Sequence, residues 1–168
     1  MIYSYYGFGQ GKTSALNGLC LRAIASKKSI LYIRFFKGIR SSEDKILEAL
    51  GVKIHLFQTT NHFIWTKNDI EKNKIINEAQ TALNFLKKEY KNFDYLFLDE
   101  IIDLVTNKIL SSKDFCDFLK IISKDRYVFI SGHYMDEEIS KISSVLTHME
   151  KKKHHYDLGI SSKKFIDY

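Results

Sequence analysis

The sequence contains no proline, has only two cysteines and lacks any long apolar run. A helix that crosses a bilayer needs about 20 consecutive apolar residues, so the composition excludes a helical membrane protein. The amino terminus also lacks the basic segment followed by roughly 7 to 15 apolar residues that is typical of a secretory signal. We therefore expect a cytoplasmic protein with no membrane partner.

The scarcity of cysteine argues against a structural zinc site. Such a site uses about four Cys or His ligands at short spacings. Cys20 and Cys116 instead lie far apart in the sequence, each within an apolar helical pattern. Both are expected to be buried thiols.

The length and balance of residue types are those of one folded domain. Of 168 residues, 45% are apolar and 27% are charged, and we find no repeat, linker or low-complexity tract. Residues 1–168 are therefore expected to form a single domain with a substantial core.

The net charge of +6 is partly concentrated at residues 151–155. No sequence motif that binds a groove of DNA or RNA accompanies that charge, so we expect no nucleic-acid partner. An anionic small-molecule ligand would explain the positive net charge equally well.

Segments rich in β-branched and aromatic residues alternate with segments of helical periodicity. This alternation is typical of parallel strands joined by crossover helices, and it predicts an α/β fold with a mainly parallel sheet flanked by helices. Strands are predicted at residues 2–6, 29–36, 53–57, 95–98, 127–131 and 144–149. Helices are predicted at residues 42–50, 68–90 and 111–122, and after the first strand, where the apolar stripe is Leu16, Leu19, Cys20, Ala23 and Ile24. The stripe predicted for residues 68–90 is Ile76, Ala79, Leu83, Leu86 and Tyr90.

The most informative motif is the run G-F-G-Q-G-K-T at residues 7–13, which follows a predicted strand and opens a predicted helix. Glycine backbones can bring N–H groups close to a phosphate, and the helix N-terminus adds partial positive charge. Lys12 adds a full charge, and Thr13 offers a hydroxyl to Mg²⁺. The run is shorter than the usual phosphate loop, because its first glycine comes one residue later. It predicts that ATP phosphates are bound by Gly7, Phe8, Gly9, Gln10, Gly11, Lys12, Thr13 and Ser14.

A second motif supplies carboxylates for a metal. The apolar segment that begins at Tyr95 ends in Asp99 and Glu100. Ligands of open α/β sheets collect at the carboxyl ends of the strands, and Mg²⁺ prefers oxygen ligands. We expect Thr13, Asp99 and Glu100 to form a magnesium site. The alternative is a pair of acids that stabilises the N-terminus of a following helix.

Taken together, these motifs resemble those of the P-loop corrinoid adenosyltransferases. The resemblance runs nearly from end to end of the chain. Besides the phosphate loop and Leu98-Asp99-Glu100, it rests on the following pieces: Leu21-Arg22-Ala23, Phe35-Phe36-Lys37-Gly38, Phe63-Ile64-Trp65, Ser131-Gly132, Thr147 with Met149, Lys153-His154, Gly159, and Phe165-Ile166-Asp167-Tyr168. The resemblance implies a RecA-like P-loop NTPase fold and, usually, a homodimer.

The resemblance also implies a reaction. Co(I) of a reduced corrinoid would attack the 5′ carbon of ATP, and triphosphate would leave. Lys12, Thr13 and Glu100 would be catalytic, because they would stabilise the charge that builds up on the triphosphate together with Mg²⁺. Arg22 would join them at the triphosphate, and Lys37 would face the site from the end of the second strand, where an ordinary strand-end turn is the alternative. A reduced flavoprotein would supply electrons.

Two aromatic residues have a special role by the same resemblance. Phe63 and Trp65 would press on the lower face of the corrin and exclude the axial ligand, which raises the reduction potential of the cobalt. Ordinary packing of a loop onto the core is the alternative for both residues.

Several positions depart from the family pattern. Phe8 stands where a small polar residue is usual, Gln10 where lysine is common, and His133 where arginine is expected. The remaining departures are Ile102, Asp103, Ser144 and His148. They fall on the metal and corrin side of the site more than on the loop.

Two other functions are compatible with a phosphate loop. The first is an ATP-binding regulatory or assembly module with weak or no transferase activity, which the departures favour. The second is a RecA-like thymidine kinase, which usually carries a zinc-bearing segment with four cysteines. Two cysteines do not suffice for that segment.

Overall fold

The computed structural model describes residues 1–59 and 68–166. Its helices are α1 (Lys12–Ile24), α2 (Asp44–Ala49), α3 (Asp69–Glu89), α4 (Asp103–Thr106), α5 (Ser112–Ile122) and α6 (Glu137–Ile142). Its strands are β1 (Ile2–Tyr6), β2 (Ile30–Arg34), β3 (Lys53–Leu56), β4 (Tyr95–Asp99), β5 (Tyr127–Gly132) and β6 (Val145–His148). Short 3-10 helices lie at Tyr90–Asn92 and His155–Leu158.

The six strands form one parallel sheet in the order β3-β2-β4-β5-β1-β6. This arrangement confirms the predicted α/β fold, a P-loop NTPase-like sheet flanked by helices. Strand β5 lies between β1 and β4, so the phosphate loop after β1 and the carboxylates after β4 are separated by one strand at the same edge. The polar ends of β1, β2, β4 and β5 therefore meet at the carboxyl edge of the sheet.

Side chains of the central strands alternate between two apolar layers. Leu31 and Ile33 belong to the layer that includes α3 and α5, whereas Tyr32 packs in the layer that includes Leu16 and Cys20 of α1. Burial on both faces explains why β2 and β4 read as nearly continuous apolar runs. Cys20 and Cys116 are both buried, as predicted.

The structure corrects some predicted boundaries. Strand β2 ends at Arg34 rather than at residue 36, because Phe36 has a φ of 52° and leaves the extended conformation. In α3 the fully buried positions include Ile75 and Ala82, while Ile76 is only partly buried. The short helices α4 and α6 were not predicted, because four to six residues are too few to show a helical period.

The structure also bears on the membrane prediction. None of the helices in the described part of the chain combines the length and the hydropathy that a bilayer crossing requires.

Candidate nucleotide-binding site

The phosphate loop connects the end of β1 to the start of α1. Gly11 occupies the N-cap position of α1 with a φ of 112°, a conformation that favours glycine. Among the described residues no side chain caps this helix. The first N–H groups of α1 therefore face the loop without a side-chain acceptor, which suits an anion.

Two glycines of the loop are required by packing. Gly9 N–H donates to the Met149 carbonyl at 2.7 Å, and a Cβ atom on Gly9 would lie 2.6 Å from the same oxygen. A Cβ atom on Gly7 would clash with Met149 and with the His148 ring. From the sequence, these glycines were expected to let the backbone approach a phosphate. The structure adds a second reason, because the missing Cβ atoms leave room for His148 and Met149 to pack against the loop.

The Lys12 side chain folds over the loop. Its Nζ donates to the carbonyl of Gly7 at 2.7 Å and more distantly to that of Gly9 at 3.4 Å. Burial lowers the pKa of Lys12, and the nearby carboxylates of Glu100, Asp103 and Asp99 oppose that shift. A positive charge is thus held at the centre of the loop.

Thr13 and Asp99 lie together, as the sequence predicts. Thr13 Oγ1 donates to Asp99 Oδ2 at 3.0 Å, although β5 lies between β4, which ends at Asp99, and β1, which leads into the loop. Asp99 also accepts from Ser131 Oγ at 2.7 Å and from Arg34 Nη1 at 3.1 Å. Both oxygens of the Asp99 carboxylate are therefore hydrogen-bonded.

Glu100 differs from its neighbour Asp99. Its backbone has a φ of 62°, and its N–H donates to Ser131 Oγ at 2.8 Å. Burial raises the pKa of the Glu100 carboxyl to about 8, and the charges of Asp99 and Asp103 add to the effect. At neutral pH this group is mostly protonated unless a cation approaches it.

The oxygen atoms of Thr13, Asp99 and Glu100 fit Mg²⁺ in donor type. Among residues 1–59 and 68–166, no group of three or more His, Cys, Asp and Glu side chains is arranged to hold a metal ion. Phosphate oxygens and waters supply many ligands of Mg²⁺ in nucleotide sites, so a few protein oxygens suffice.

Arg34 is a member of the site that the sequence analysis missed. Its side chain is fully buried at the end of β2, where Nη1 reaches Asp99 and Nε donates to Asp44 Oδ1 at 2.9 Å. Its guanidinium carbon also lies 4.6 Å from the centre of the Tyr32 ring. A charged residue within the apolar run of residues 30–36 was the available signal.

A pocket of about 660 Å³ opens beside the loop. Its lining includes Thr13 and Ser14 of α1, Lys37 and Glu43 between β2 and α2, and Phe165 near the carboxyl end. The predicted site residues Thr13, Ser14 and Lys37 are thus brought to one cavity. Its volume lies in the range of small-molecule and cofactor sites.

Other predicted site residues lie elsewhere. Arg22 is exposed in the last turn of α1, about 14 Å from Thr13 along the helix axis, and does not line the pocket. Phe8 and Gln10 are exposed on the loop. Phe63 and Trp65 belong to residues 60–67 and lie outside the described residues.

Three of the departures from the family pattern meet in one cluster. Asp103 accepts from His133 N–H at 2.9 Å, and its other oxygen lies 2.7 Å from His133 Nδ1. The Phe8 ring lies 5.5 Å from the His133 ring and 4.9 Å from that of Tyr134. The cluster flanks the phosphate loop, because Gly7 N–H donates to the His133 carbonyl.

The remaining departures are spread through the fold. His148 stacks on Tyr6 at 4.7 Å beside the loop, whereas Ile102 is buried in the core. Ser144 hydrogen-bonds with Ile2 at the opposite, amino end of β1. Ser144 therefore lies at the edge of the sheet that is remote from the phosphate loop.

Comparisons with known proteins place this geometry in context. The sequence profile of the family described as ATP:corrinoid adenosyltransferase BtuR/CobO/CobP matches residues 1–168. A curated corrinoid adenosyltransferase of a Sinorhizobium species is 23% identical over 167 residues, which cover 96% of this chain and 77% of that protein.

Two further matches are to replication initiators. The chromosomal replication initiator protein DnaA of Lactiplantibacillus plantarum is 20% identical over 147 residues, and the match covers 86% of this chain. The chain spans 32% of the length of that protein. Domain III of the Thermotoga maritima replication initiation protein DnaA superposes with a TM-score of 0.45 at 17% identity, covering 89% of this chain and 54% of that one.

Proposed function

The chain belongs to the ATP:corrinoid adenosyltransferase family BtuR/CobO/CobP, and on that premise we propose that it transfers the 5′-deoxyadenosyl group of ATP to Co(I) of a corrinoid. The observation that carries the proposal is the convergence of Lys12, Thr13 and Glu100 at one edge of the sheet, beside a pocket of about 660 Å³. That arrangement offers a site for a polyphosphate next to room for a second, larger group.

In the proposed reaction, the main task of the protein is to stabilise the leaving group, triphosphate. The cobalt–carbon bond forms with the electron pair of Co(I), the C5′–O bond breaks, and that bonding pair leaves with triphosphate. No proton is abstracted from either reactant, so no general base is needed. The protein must instead stabilise negative charge on the departing oxygens.

The residues of the loop are suited to that role. In the proposal, Lys12 leaves the Gly7 carbonyl and donates to a phosphate oxygen, and the first N–H groups of α1 donate to others. Bound Mg²⁺ would supply Lewis-acid stabilisation of the same oxygens. Thr13 and Glu100 would hold the ion, and Asp99 would orient the Thr13 hydroxyl through their hydrogen bond.

The pocket provides space for the reacting partners. Lys37 lines the same cavity as the start of α1 and would contact an anionic or amide group of a substrate. We also infer contributions from Arg22, Phe63 and Trp65, from a homodimeric partner and from a reduced flavoprotein in the cytoplasm. These inferences rest on the family resemblance.

An anaerobic assay tests the proposal. Purified protein is mixed with Mg-ATP and chemically reduced cob(I)alamin or cob(I)inamide, while absorbance follows the cobalt–carbon bond and a separate assay measures triphosphate. Stoichiometric product and triphosphate are expected, and Lys12→Ala should abolish both. ATP binding with no adenosylation of either corrinoid would contradict the proposal.

That contrary outcome would support a second function, an ATP-binding regulatory or assembly module. The observation that favours it is the cluster of Phe8, Asp103 and His133 beside the loop, where the transferase resemblance expects different residues. In that case triphosphate would not form. Slow release of inorganic phosphate, or no turnover, would be observed instead.

A further inference from the structure

A continuous series of hydrogen bonds connects the phosphate loop to Lys37, another residue that lines the pocket. It begins where Thr13 Oγ1 donates to Asp99 Oδ2 at 3.0 Å, the oxygen that also accepts from Arg34 Nη1 at 3.1 Å. Arg34 Nε then donates to Asp44 Oδ1 at 2.9 Å. The series thus passes from α1 through β4 and β2 to the start of α2.

The second half of the series reaches Lys37. Asp44 Oδ2 accepts from the Ser41 N–H at 2.8 Å, and Ser41 Oγ accepts from Lys37 Nζ. Lys37 and Ser41 both line the pocket, as Thr13 does at the other end. Thr13 and Lys37 are therefore connected through the Arg34 guanidinium group.

The central members of the series are shielded from solvent. The side chains of Arg34 and Asp44 are fully buried, and that of Asp99 is 3% exposed. Charge-assisted hydrogen bonds between buried groups hold a fixed geometry, and the planar guanidinium can donate to two carboxylates from different edges. A lysine at the same position would offer one compact ammonium group and could not reproduce both contacts.

A second set of hydrogen bonds also connects Arg34 to residues that line the pocket. Arg34 Nη2 lies 3.3 Å from Glu43 Oε1, which also accepts from Asn17 Nδ2 at 2.8 Å. Asn17 Oδ1 in turn accepts from the Tyr32 hydroxyl at 2.9 Å. Asn17 and Glu43 both line the pocket. Each hydrogen-bond partner of the guanidinium is therefore either a residue that lines the pocket or a residue that is hydrogen-bonded to one.

We propose that Arg34 is a positioning residue that holds Thr13 and Lys37, which both line the pocket, in the geometry that Mg-ATP requires. Arg34 does not line the pocket and acts through Asp99 and Asp44. This inference rests on the proposed function, because it takes Thr13 as a metal ligand and Lys37 as a substrate contact. It adds a residue on β2 to a site otherwise formed by the phosphate loop and by β4.

The test compares ATP binding with and without Mg²⁺ by titration calorimetry in the absence of corrinoid. In Arg34→Lys, binding of metal-free ATP should change less than threefold, because the loop and Lys12 are untouched. The enhancement of ATP affinity by Mg²⁺ should fall about 10- to 100-fold, the range expected when a buried charged hydrogen bond is lost. A purely structural role would weaken both affinities together.

Loss of one buried charge can prevent folding, so a second variant is needed. Arg34→Gln combined with Asp44→Asn removes the buried ion pair of these two residues as a unit, and the Asp99 carboxylate keeps its hydrogen bonds from Thr13 and Ser131. The double variant should lose the Mg²⁺ enhancement as Arg34→Lys does. The control is Arg40→Gln, which removes an exposed arginine that pairs with Glu48 and should leave both affinities unchanged.

The outcomes separate this inference from the proposed function. If the unmodified protein binds no ATP, the proposed function fails and the inference fails with it. If the unmodified protein binds ATP with a clear Mg²⁺ enhancement that the Arg34 variants retain, the positioning role is wrong while the proposed function stands. Equal losses with and without Mg²⁺ in the folded double variant would also overturn it.

Discussion

The Glu100 carboxyl should make the stability of the protein depend on pH. Its pKa is raised from 4.5 to about 8 in the folded protein by burial and by the neighbouring Asp99 and Asp103. Between these two values the folded state holds a proton that the unfolded state has released. The contribution of Glu100 to the free energy of unfolding is therefore fully present below pH 4.5. It is lost as the pH rises toward 8.

The magnitude follows from the width of that window. Each pH unit changes the free energy of unfolding by about 1.4 kcal/mol while only the folded state is protonated, so about 3 kcal/mol is lost between pH 5.5 and pH 8. For a protein of this size the loss corresponds to a fall in Tm of roughly 6–12 °C. Glu100→Gln cannot ionise and should not show this loss.

The measurement is the free energy of urea unfolding for the unmodified protein and for Glu100→Gln, from pH 5.5 to pH 8.5 without nucleotide or metal. The difference between the two proteins should grow with pH in favour of the variant. Glu48→Gln, which alters an exposed ion pair with Arg40, is the control and should follow the unmodified protein. A difference that stays constant over this range would refute the assignment, because Glu100 would then be ionised throughout.

The same stability measurement can be repeated with Mg²⁺ and ATP present. A cation bound by Glu100 favours its ionised form, so saturating Mg-ATP should remove most of the pH dependence in the unmodified protein. Calorimetry should also detect the release of nearly one proton when Mg-ATP binds at pH 7. Proton release equal to that of Glu100→Gln would show that the ion does not reach this carboxyl.

Three further predictions concern the loop and the cofactor. Lys12→Ala should weaken ATP binding by about 10- to 100-fold in calorimetry while its circular dichroism spectrum stays unchanged. Gly9→Ala should destabilise the protein by about 1–3 kcal/mol in urea, because its Cβ would lie 2.6 Å from the Met149 carbonyl. At Gly18 the new Cβ would meet no atom within 4 Å among the described residues, apart from its own helix backbone and chain neighbours. Gly18→Ala should therefore be neutral or stabilising, and equal effects of the two substitutions would contradict the packing argument. Trp65→Ala should retain adenosylation of chemically reduced Co(I) but lose it when cobalt enters as Co(II) with a reductase, and equal loss in both assays would contradict the aromatic role.

The fold was predictable where its signals are local. Strand β1, the loop and α1 follow one another within the first 24 residues, and each carries its own pattern of composition or period. The six strands were predicted with small errors at their ends, because β-branched runs bounded by polar residues are strong signals. The pairing of Thr13 with Asp99 also followed from the rule that ligands collect at the carboxyl edge of a parallel sheet.

Other parts of the site depend on the order of strands, which the sequence does not reveal. Arg34 and Asp99 lie side by side because β2 and β4 are neighbours in register, although 65 positions separate them along the chain. The contact of Gly9 with Met149 likewise requires β6 to lie next to β1. Such contacts join distant segments, and no periodicity of either segment encodes them.

The same strand order gives two adjacent carboxylates different surroundings. Asp99 is the last residue of β4 and accepts from a buried arginine on one side and from Ser131 on the other. Glu100 follows with a positive φ, and burial together with the charges of Asp99 and Asp103 raises its pKa. Arg34 fixes the position of the Asp99 carboxylate, and the charge of that carboxylate contributes to the raised pKa of Glu100. Strand β2 therefore influences the pH at which Glu100 can bind a cation. Substitution of Arg34 is therefore expected to alter both Mg²⁺ affinity and its pH dependence, whereas a change at exposed Arg40, which pairs with Glu48, should alter neither.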